Sequence, residues 1–488
     1  MYLSLCQPPG QHRGPRTKTD PLGVLDEMLA SLGMSAPHTA VALADLLRRP
    51  VARSQVDALL IAAMQGGEPL AAVVASQVMD QLGELRMLAY ATAADETESL
   101  FRLAPVAPAP ALTATSAKAG VTYRLSRFAQ IRMDEAGHVP GQLPHNAGLI
   151  LESPLSPFRC HINPLSRSTT AMQALALLGS GAALEDLRRA DIPEADCEPL
   201  LSLLSAAGLI RPLDASGLSD EDQDPTLRQW DVHDLAFHLR SRLGRHDQRI
   251  GGDFRFKNII DPVPALRPEP KHLARLQLAR PDEMAMAAND PTLSQTIEAR
   301  VSVRPGARRP LNLQELGLFL WRTARITRIF DGGIGEFTAR PYPSGGGSYE
   351  QDVWITAREV VGLMPGFYFY AAATHELLLV RPWNTDCEAL IAQAVTAMAE
   401  TTIPDAVLTL GARFQRVSWK YSGMAYATQL KNTGAIYMAF YMAATAMGLS
   451  PCGLGLGSIE TFRRLTGSRI EVEGSIGEFA LSGPPIGA

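Results

Sequence analysis

Four stretches of this sequence place side chains where they could do chemistry. In Glu298-Ala299-Arg300-Val301-Ser302-Val303-Arg304, two arginines four apart flank a serine. Guanidinium forks and a hydroxyl suit phosphate oxygens, so the three can converge on one anion; two arginines on a solvated face would give the same pattern. In Pro341-Tyr342-Pro343-Ser344-Gly345-Gly346-Gly347, two prolines stiffen the approach to three glycines. Backbone N–H groups can there come close to a flat or anionic ligand that any side chain would exclude, although a plain turn also uses glycine. Neither G-x-x-x-x-G-K-[ST] nor a helix-opening G-x-G-x-x-G is present.

The third stretch sets Lys420-Tyr421 among Phe414, Trp419 and Met424. A low-dielectric pocket would destabilise the ammonium and make the amine a usable base; a surface lysine snorkelling over aromatic rings is the alternative. The fourth, Cys452-Gly453-Leu454-Gly455-Leu456-Gly457, alternates glycines, as a close backbone approach or a bend in a strand would. His233 and His238 lie five apart, which does not put two ligands on one helix face, and both read as structural. Five cysteines, Cys6, Cys160, Cys197, Cys387 and Cys452, form no C-x-x-C pair, so no metal site and no disulfide framework is expected, and a reducing cytoplasm is the default.

These residues need elements to hold them. The 488 residues amount to roughly three domains at about 150 each. With 45 basic and 50 acidic residues, 19% charged and 46% hydrophobic, the chain is neither a disordered acidic segment nor a binder of nucleic acid through bulk positive charge. A small molecule or a peptide is the expected partner. Residues 104–120, rich in Pro, Ala and Thr, and the acidic 214–224 read as solvated linkers. The division expected is a loose tail over 1–20, a small helical, winged-helix-like domain over 21–103, a second winged-helix-like domain over 121–213, and a catalytic domain over 226–488. The third helix of the second domain carries Glu194, Asp196 and Glu198 and no Lys or Arg, which disfavours DNA reading.

In the last block, strand-like runs at 353–356, 366–370, 377–380, 406–410 and 476–481 alternate with helical patterns at 313–323, 386–400 and 423–449, as in an α+β layered domain. Residues 434–449 are uncharged and apolar but fall short of the roughly 20 residues a bilayer requires. They read as a helix buried on all sides, in a core or at a large subunit interface, and no membrane partner is expected. No internal repeat is visible.

In this order the four stretches resemble one family. Together with residues 230–245 (WDVHDLAFHLRSRLGR), LNLQELGLFLWRTARI, LMPGFYFY, AATAMGLSPCGLG and EGSIGEF, they make the sequence similar to the flavin-dependent azoline dehydrogenases of ribosomal peptide biosynthesis. The resemblance implies an α+β fold with a C-terminal nitroreductase-like domain, a central mixed sheet flanked by helices, and FMN at the boundary of a homodimer. It implies that Arg300, Ser302 and Arg304 hold the FMN phosphate and ribityl chain, and that Pro343, Ser344, Gly345 and Gly346 line the isoalloxazine. Gly455, Leu456 and Gly457 would pass close to the cofactor, and Lys420 and Tyr421 would face the substrate ring.

The resemblance also places Met438 at the cofactor: in the long apolar helix relatives usually carry Gln and Thr where this chain has Met438 and Ala439, so a flavin-side amide contact would be missing there while the site remains. The reaction implied is oxidation of a peptide thiazoline or oxazoline to its azole, with dioxygen as final acceptor. An azoline-containing precursor peptide and a cyclodehydratase of the same pathway are the implied partners. Residues 121–212 resemble the element that binds a precursor's leader peptide, and strand addition would need no basic face. Two other classes stay open: an NAD(P)H-dependent nitroreductase or quinone reductase, and a non-catalytic scaffold that binds the leader.

Overall fold

A computed structural model of the chain describes residues 1–6, 21–31, 38–67, 69–95, 98–113, 116–134, 148–162, 167–246, 251–304, 306–400 and 402–486. The turn expected near 135–137 lies outside the described residues. Two compact units result, Met1–Arg249 and Ile250–Ala488.

The first unit begins with β1 (Tyr2–Leu5), α1 (Pro21–Ser31), α2 (His38–Leu47), β2 (Val51–Ala52), α3 (Arg53–Gln65), α4 (Pro69–Glu84), β3 (Leu88–Ala91) and β4 (Phe101–Pro105). It continues with β5 (Tyr123–Leu125), β6 (Gln130–Met133), β7 (Leu149–Glu152), β8 (Phe158–Ile162), α5 (Ser168–Ser180), α6 (Leu184–Arg189), α7 (Glu194–Ala206) and β9 (Ile210–Pro212), and closes with α8 (Asp220–Gln223) and α9 (Val232–Arg240).

One antiparallel sheet, in the order β2-β1-β3-β4-β8-β7-β6, runs through both blocks that the sequence suggests are separate domains. The residues between them are therefore no solvated linker. Pro105 ends β4, Val106, Ala107, Ala109 and Leu112 are buried, and Tyr90 OH accepts from Leu112 N at 2.8 Å. Small apolar side chains pack here, whatever the proline content. The start of the expected tail also packs: β1 inserts between β2 and β3 with Leu3 1% exposed, while residues 7–20 lie outside the described residues. The acidic stretch folds too, as Ser219 caps α8 and Glu221 is buried.

The two halves of this unit share an order that single residues do not display. With α1 set aside in the first half and the β6-β7-β8 insertion in the second, a strand leads to a helix, a short strand or bridge, two helices and a returning strand: β1-α2-β2-α3-α4-β3, then β5-α5-Ala182-α6-α7-β9. In each half the first strand lies between the other two; Tyr123 bridges Ala182 and β5 pairs with β9.

The second unit contains β10 (Ala274–Gln277), α10 (Glu283–Asn289), α11 (Leu293–Ala299), β11 (Leu311–Asn312), α12 (Leu313–Ala324), β12 (Arg328–Asp331), β13 (Glu336–Ala339), β14 (Gln351–Ala357), β15 (Val360–Val361) and β16 (Gly366–Ala371). After these come β17 (Glu376–Pro382), α13 (Thr385–Ala397), β18 (Ala406–Arg413), α14 (Gln415–Ser418), α15 (Ala425–Ala446), β19 (Ser450–Leu454), α16 (Ile459–Thr466) and β20 (Glu473–Ser482). Its main sheet runs β10-β17-β16-β14-β18-β20-β19 and every ladder in it is antiparallel. The one parallel pairing among the described residues is the short β11–β15 ladder, so the mix of directions expected of the central sheet lies outside it.

One face of the sheet carries α12 and α15 over Val353, Ile355, Leu408, Phe479 and Leu481; the other carries α13 and α16. The unit begins near 250, because α9 belongs to the first unit. Helix α15 starts before the uncharged run and is not buried all round: Ile436, Phe440 and Ala444 face the sheet, while Met438 is 47% exposed. A helix laid on one side of a single sheet buries one face only. Among the described residues no helix is long and apolar enough to cross a membrane.

Candidate functional site

The glycine loop and the Lys-Tyr pair meet. Lys420 Nζ donates to Gly346 O at 3.1 Å, and Gly346 adopts a left-handed φ of 62°. A Cβ at Gly346 would stand 2.2 Å from Tyr421 OH and 2.8 Å from Lys420 Nζ; one at Gly345 would stand 2.3 Å from Thr428 Cγ2. Conformation thus favours glycine at Gly346, and the Thr428 methyl leaves no room for a Cβ at Gly345.

Helix α15 holds the loop through Asn432. Its Oδ1 accepts from Gly345 N at 2.8 Å, and its Nδ2 donates to Ser344 Oγ at 3.0 Å and to the buried Glu350 carboxylate at 3.0 and 3.1 Å. Burial pushes the Glu350 pKa up. Ser344 Oγ in turn accepts from Tyr349 N at 3.0 Å.

Lys420 lies among rings, with Nζ 5.6 Å from the centroid of Phe254, 5.9 Å from Phe337 and 5.4 Å from Tyr421. Burial lowers its pKa, and the neighbouring Arg416 charge adds to the effect. Burial raises the pKa of Tyr421, so its phenol stays protonated.

A strap over residues 251–265 crosses this pair. Asp253 N and Phe254 N donate to Lys420 O at 3.0 and 3.3 Å, and Ser422 Oγ donates to Asp253 Oδ2. Trp419 Nε1 donates to Ile260 O, Arg416 Nη1 to Val263 O, and Arg413 to Pro264 O and Ala265 O. Phe254 is held at φ 48°, a left-handed conformation that costs a bulky L-residue about 1–2 kcal/mol.

The second group of expected residues gathers at the far flank of α15. Ser302 Oγ and Tyr441 OH are 2.7 Å apart, Arg300 lies over the Tyr441 ring at 5.2 Å, and Tyr441 OH accepts from Gly453 N at 2.7 Å. Arg304 hydrogen-bonds Cys452, whose thiol pKa burial pushes up. Two guanidinium groups, a hydroxyl and the end of β19 therefore share one place, a donor set that fits a phosphate.

Gly455, Leu456 and Gly457 follow as an exposed turn, and a Cβ at Gly457 would lie 2.3 Å from the Glu478 carboxylate. Glu478 is 7% exposed, its Oε1 has no hydrogen-bond partner, and burial pushes its pKa up to about 7.

The two groups do not meet within one chain. Asn432 and Tyr441 are nine residues apart on α15, about two and a half turns, and so point to opposite flanks. Met438, the expected cofactor neighbour, is 47% exposed on the same helix.

Asp253, Phe254, Phe337, Asn432, Tyr441 and Glu478 are the site residues that motif reading misses. Two had a signal: Asn432 stands with Thr428, Gln429 and Thr433 in an otherwise apolar helix, and Glu478 interrupts an apolar strand. Among the described residues no group of three or more His, Cys, Asp or Glu could hold a metal, and His238 stacks on Trp230 at 5.9 Å. All five cysteines are free.

Comparison with known proteins separates the two units. Residues 123–247 match the cyanobactin oxidase ThcOx family, and residues 297–476 match the nitroreductase family. A protein of Methanocaldococcus jannaschii named as a nitroreductase is 26% identical over 163 residues, 33% of this chain and 78% of that protein. Among solved structures, a protein of Ralstonia eutropha assigned to the nitroreductases aligns with 47% of this chain and 100% of its own, at 20% identity and a TM-score of 0.35. The E. coli microcin synthetase McbBCD complex with truncated pro-MccB17 bound aligns with 52% of this chain and 94% of its own, at 17% identity and a TM-score of 0.33.

Proposed function

We propose that this chain, with a cyanobactin-oxidase region in its first unit and a nitroreductase-family region in its second, is an FMN-dependent azoline dehydrogenase. It converts a thiazoline or oxazoline in a ribosomally made precursor peptide to the thiazole or oxazole. The observation that carries the reading is the convergence of Lys420 Nζ and Tyr421 OH on the left-handed Gly346 backbone.

Bound FMN supplies the hydride acceptor, with dioxygen as terminal acceptor. The ring loses one hydride and one proton, the mass of two hydrogens in all. Lys420 takes the proton alpha to the peptide carbonyl, or orients the group that does. Its lowered pKa enlarges the fraction of free amine at a given pH, so the rate rises with pH along a limb below the 10.5 of an ordinary lysine. Tyr421 keeps its proton and donates a hydrogen bond or passes the proton on.

Arg300, Ser302 and Arg304 would hold the FMN phosphate, Pro343, Ser344, Gly345 and Gly346 would line the ring, and Gly455 to Gly457 would offer backbone contacts. Because these groups lie on opposite flanks of α15, a complete site takes two copies of the chain. The exposed Tyr426, Leu430 and Met438 along α15 supply an apolar face for such a homodimer. The first unit would hold the precursor's leader peptide. A cyclodehydratase that makes the azoline and a cytoplasmic location complete the reading.

Lys420→Ala tests it: the purified variant keeps its yellow colour while azole formation, followed by mass, falls about 100- to 10,000-fold. Unchanged azole formation would refute the role. The nitroreductase match also supports a second reading, reduction of quinones or nitroaromatics by NAD(P)H, which rapid bleaching of the flavin by NAD(P)H alone would favour.

A further inference from the structure

The strap and the β12–β13 hairpin leave a groove beside Lys420. Phe254, Val263, Ile334, Phe337 and Trp419 form its walls, and it opens along the Lys420 side chain. Much of its polar surface is engaged, although Arg416 makes no ion pair among the described residues. The carbonyls of Ile260, Val263, Pro264 and Ala265 already accept from Trp419, Arg416 and Arg413, and Arg416 Nε donates to Ser348 O at 3.1 Å. Glu336 Oε1, at the rim, accepts from Leu266 N at 3.2 Å.

A polar side chain entering this groove would give up water for few new hydrogen bonds, whereas an apolar one would gain contact with rings and branched carbons. The groove is also built with effort, since Phe254, which forms one wall and packs edge-on against Trp419 at 5.8 Å, holds its strained φ there. Strain of this kind persists where the surrounding contacts over-determine it, and here they fix a ring at the mouth of the site.

We propose that this groove is a specificity subsite, which takes the apolar side chain of the residue next to the ring being oxidised. The inference rests on the azoline-dehydrogenase reading. The groove is continuous with the surface of Lys420, so a peptide whose ring faces the amine has its neighbouring side chain within reach of Val263 and Ile334. Leucine and asparagine flanks are close in size and differ in polarity, so they separate this subsite from one that reads volume alone.

The test uses the full-length purified protein and short synthetic peptides in two series. Thiazoline peptides flanked by Leu, Asn or Asp are followed for turnover. The corresponding thiazole peptides, which need no chemistry, are followed for binding by calorimetry. Leu is expected to exceed Asn about tenfold or more in both kcat/KM and affinity. Ile334→Glu, a change on an exposed turn, should erase the preference for Leu over Asn in both binding and kcat/KM.

Equal binding of Leu and Asn, a preference for Asp that assigns the groove to Arg416, or a preference indifferent to Ile334→Glu would each overturn the subsite. If no peptide is oxidised but the thiazole series still prefers Leu, the subsite stands and the oxidation reading falls.

Discussion

Two buried glutamates show what each unit is built for. In the first unit Glu221 is 1% exposed, and its carboxylate accepts from Ser126 Oγ at 2.9 and 3.0 Å, Arg127 N at 3.0 Å and Arg211 Nε at 2.8 Å. It ties β5 and β9 to α8, with its charge paired and its oxygens occupied. In the second unit Glu478 is 7% exposed; Ser475 hydrogen-bonds its carboxylate, but among the described residues it has no ionic partner, and Oε1 is unpaired beside Gly457. The same side chain serves as a staple where donors surround it and becomes a titrating group where they are missing. Lys420 belongs with the second case: burial and a like charge act on it, and no carboxylate offsets them. Ionisable groups held without a counter-charge support the proposal that chemistry takes place in the second unit.

The contrast can be broken at three points. The largest effect is expected from Gly346→Ala, which puts a Cβ 2.2 Å from Tyr421 OH at a backbone φ of 62°. Flavin content and azole formation should both fall more than about tenfold, with a stability cost of about 1–3 kcal/mol. Retained colour and rate would mean that the loop is no close-approach surface.

Next, Arg211→Ala leaves Glu221 buried without its ionic partner. It should lower the stability of the first unit by about 3 kcal/mol in denaturant titration, while short azoline peptides that lack a leader are still oxidised. Loss of that basal activity would couple the units more closely than the contrast allows.

Third, Glu478→Gln should alter the pH dependence of stability. Burial raises this group from 4.5 to about 7, so its stabilising contribution is complete below about pH 4.5, declines as pH rises and is lost above about pH 7. The glutamine variant lacks that decline, a difference on the order of 3 kcal/mol between acid and mildly alkaline pH. Parallel curves for the two proteins would show that Glu478 is ionised and paired.

Much of the second unit can be read from residue order. The patterns at 313–323, 386–400 and 423–449 become α12, α13 and α15, and the runs at 353–356, 366–370, 377–380, 406–410 and 476–481 become β14, β16, β17, β18 and β20. Periodicity reports such elements because each buries one face in a single core. The candidate motifs are legible because each is contiguous in sequence, Arg300 to Arg304, Pro343 to Gly347 and Lys420-Tyr421, whereas their meetings, such as Lys420 with Gly346 across 74 residues, are not.

What escapes is long-range. The strap over 251–265 is held by its own carbonyls to side chains some 150 residues away, as in the 153-residue separation of Arg416 and Val263, and no local pattern encodes that. Strand β1 has four residues, and its partners lie in β2 and β3. The Ala/Pro-rich 104–112 reads as a linker because its burial depends on Tyr90 and on neighbours contributed by other elements. The repeated order of the first unit is a property of topology, carried by apolar positions that many sequences satisfy.

The chemistry proposed at Lys420, Tyr421 and Gly346 is the removal of two hydrogens from a peptide azoline. Its most direct test is to mix the purified yellow protein with a thiazoline peptide in the absence of oxygen and NAD(P)H, and to record the flavin's visible absorption together with the peptide's mass. The band is expected to bleach as the peptide loses the mass of two hydrogens, and colour to return on admitting air. A colourless protein, or a flavin that only NAD(P)H bleaches while the peptide keeps its mass, would contradict it.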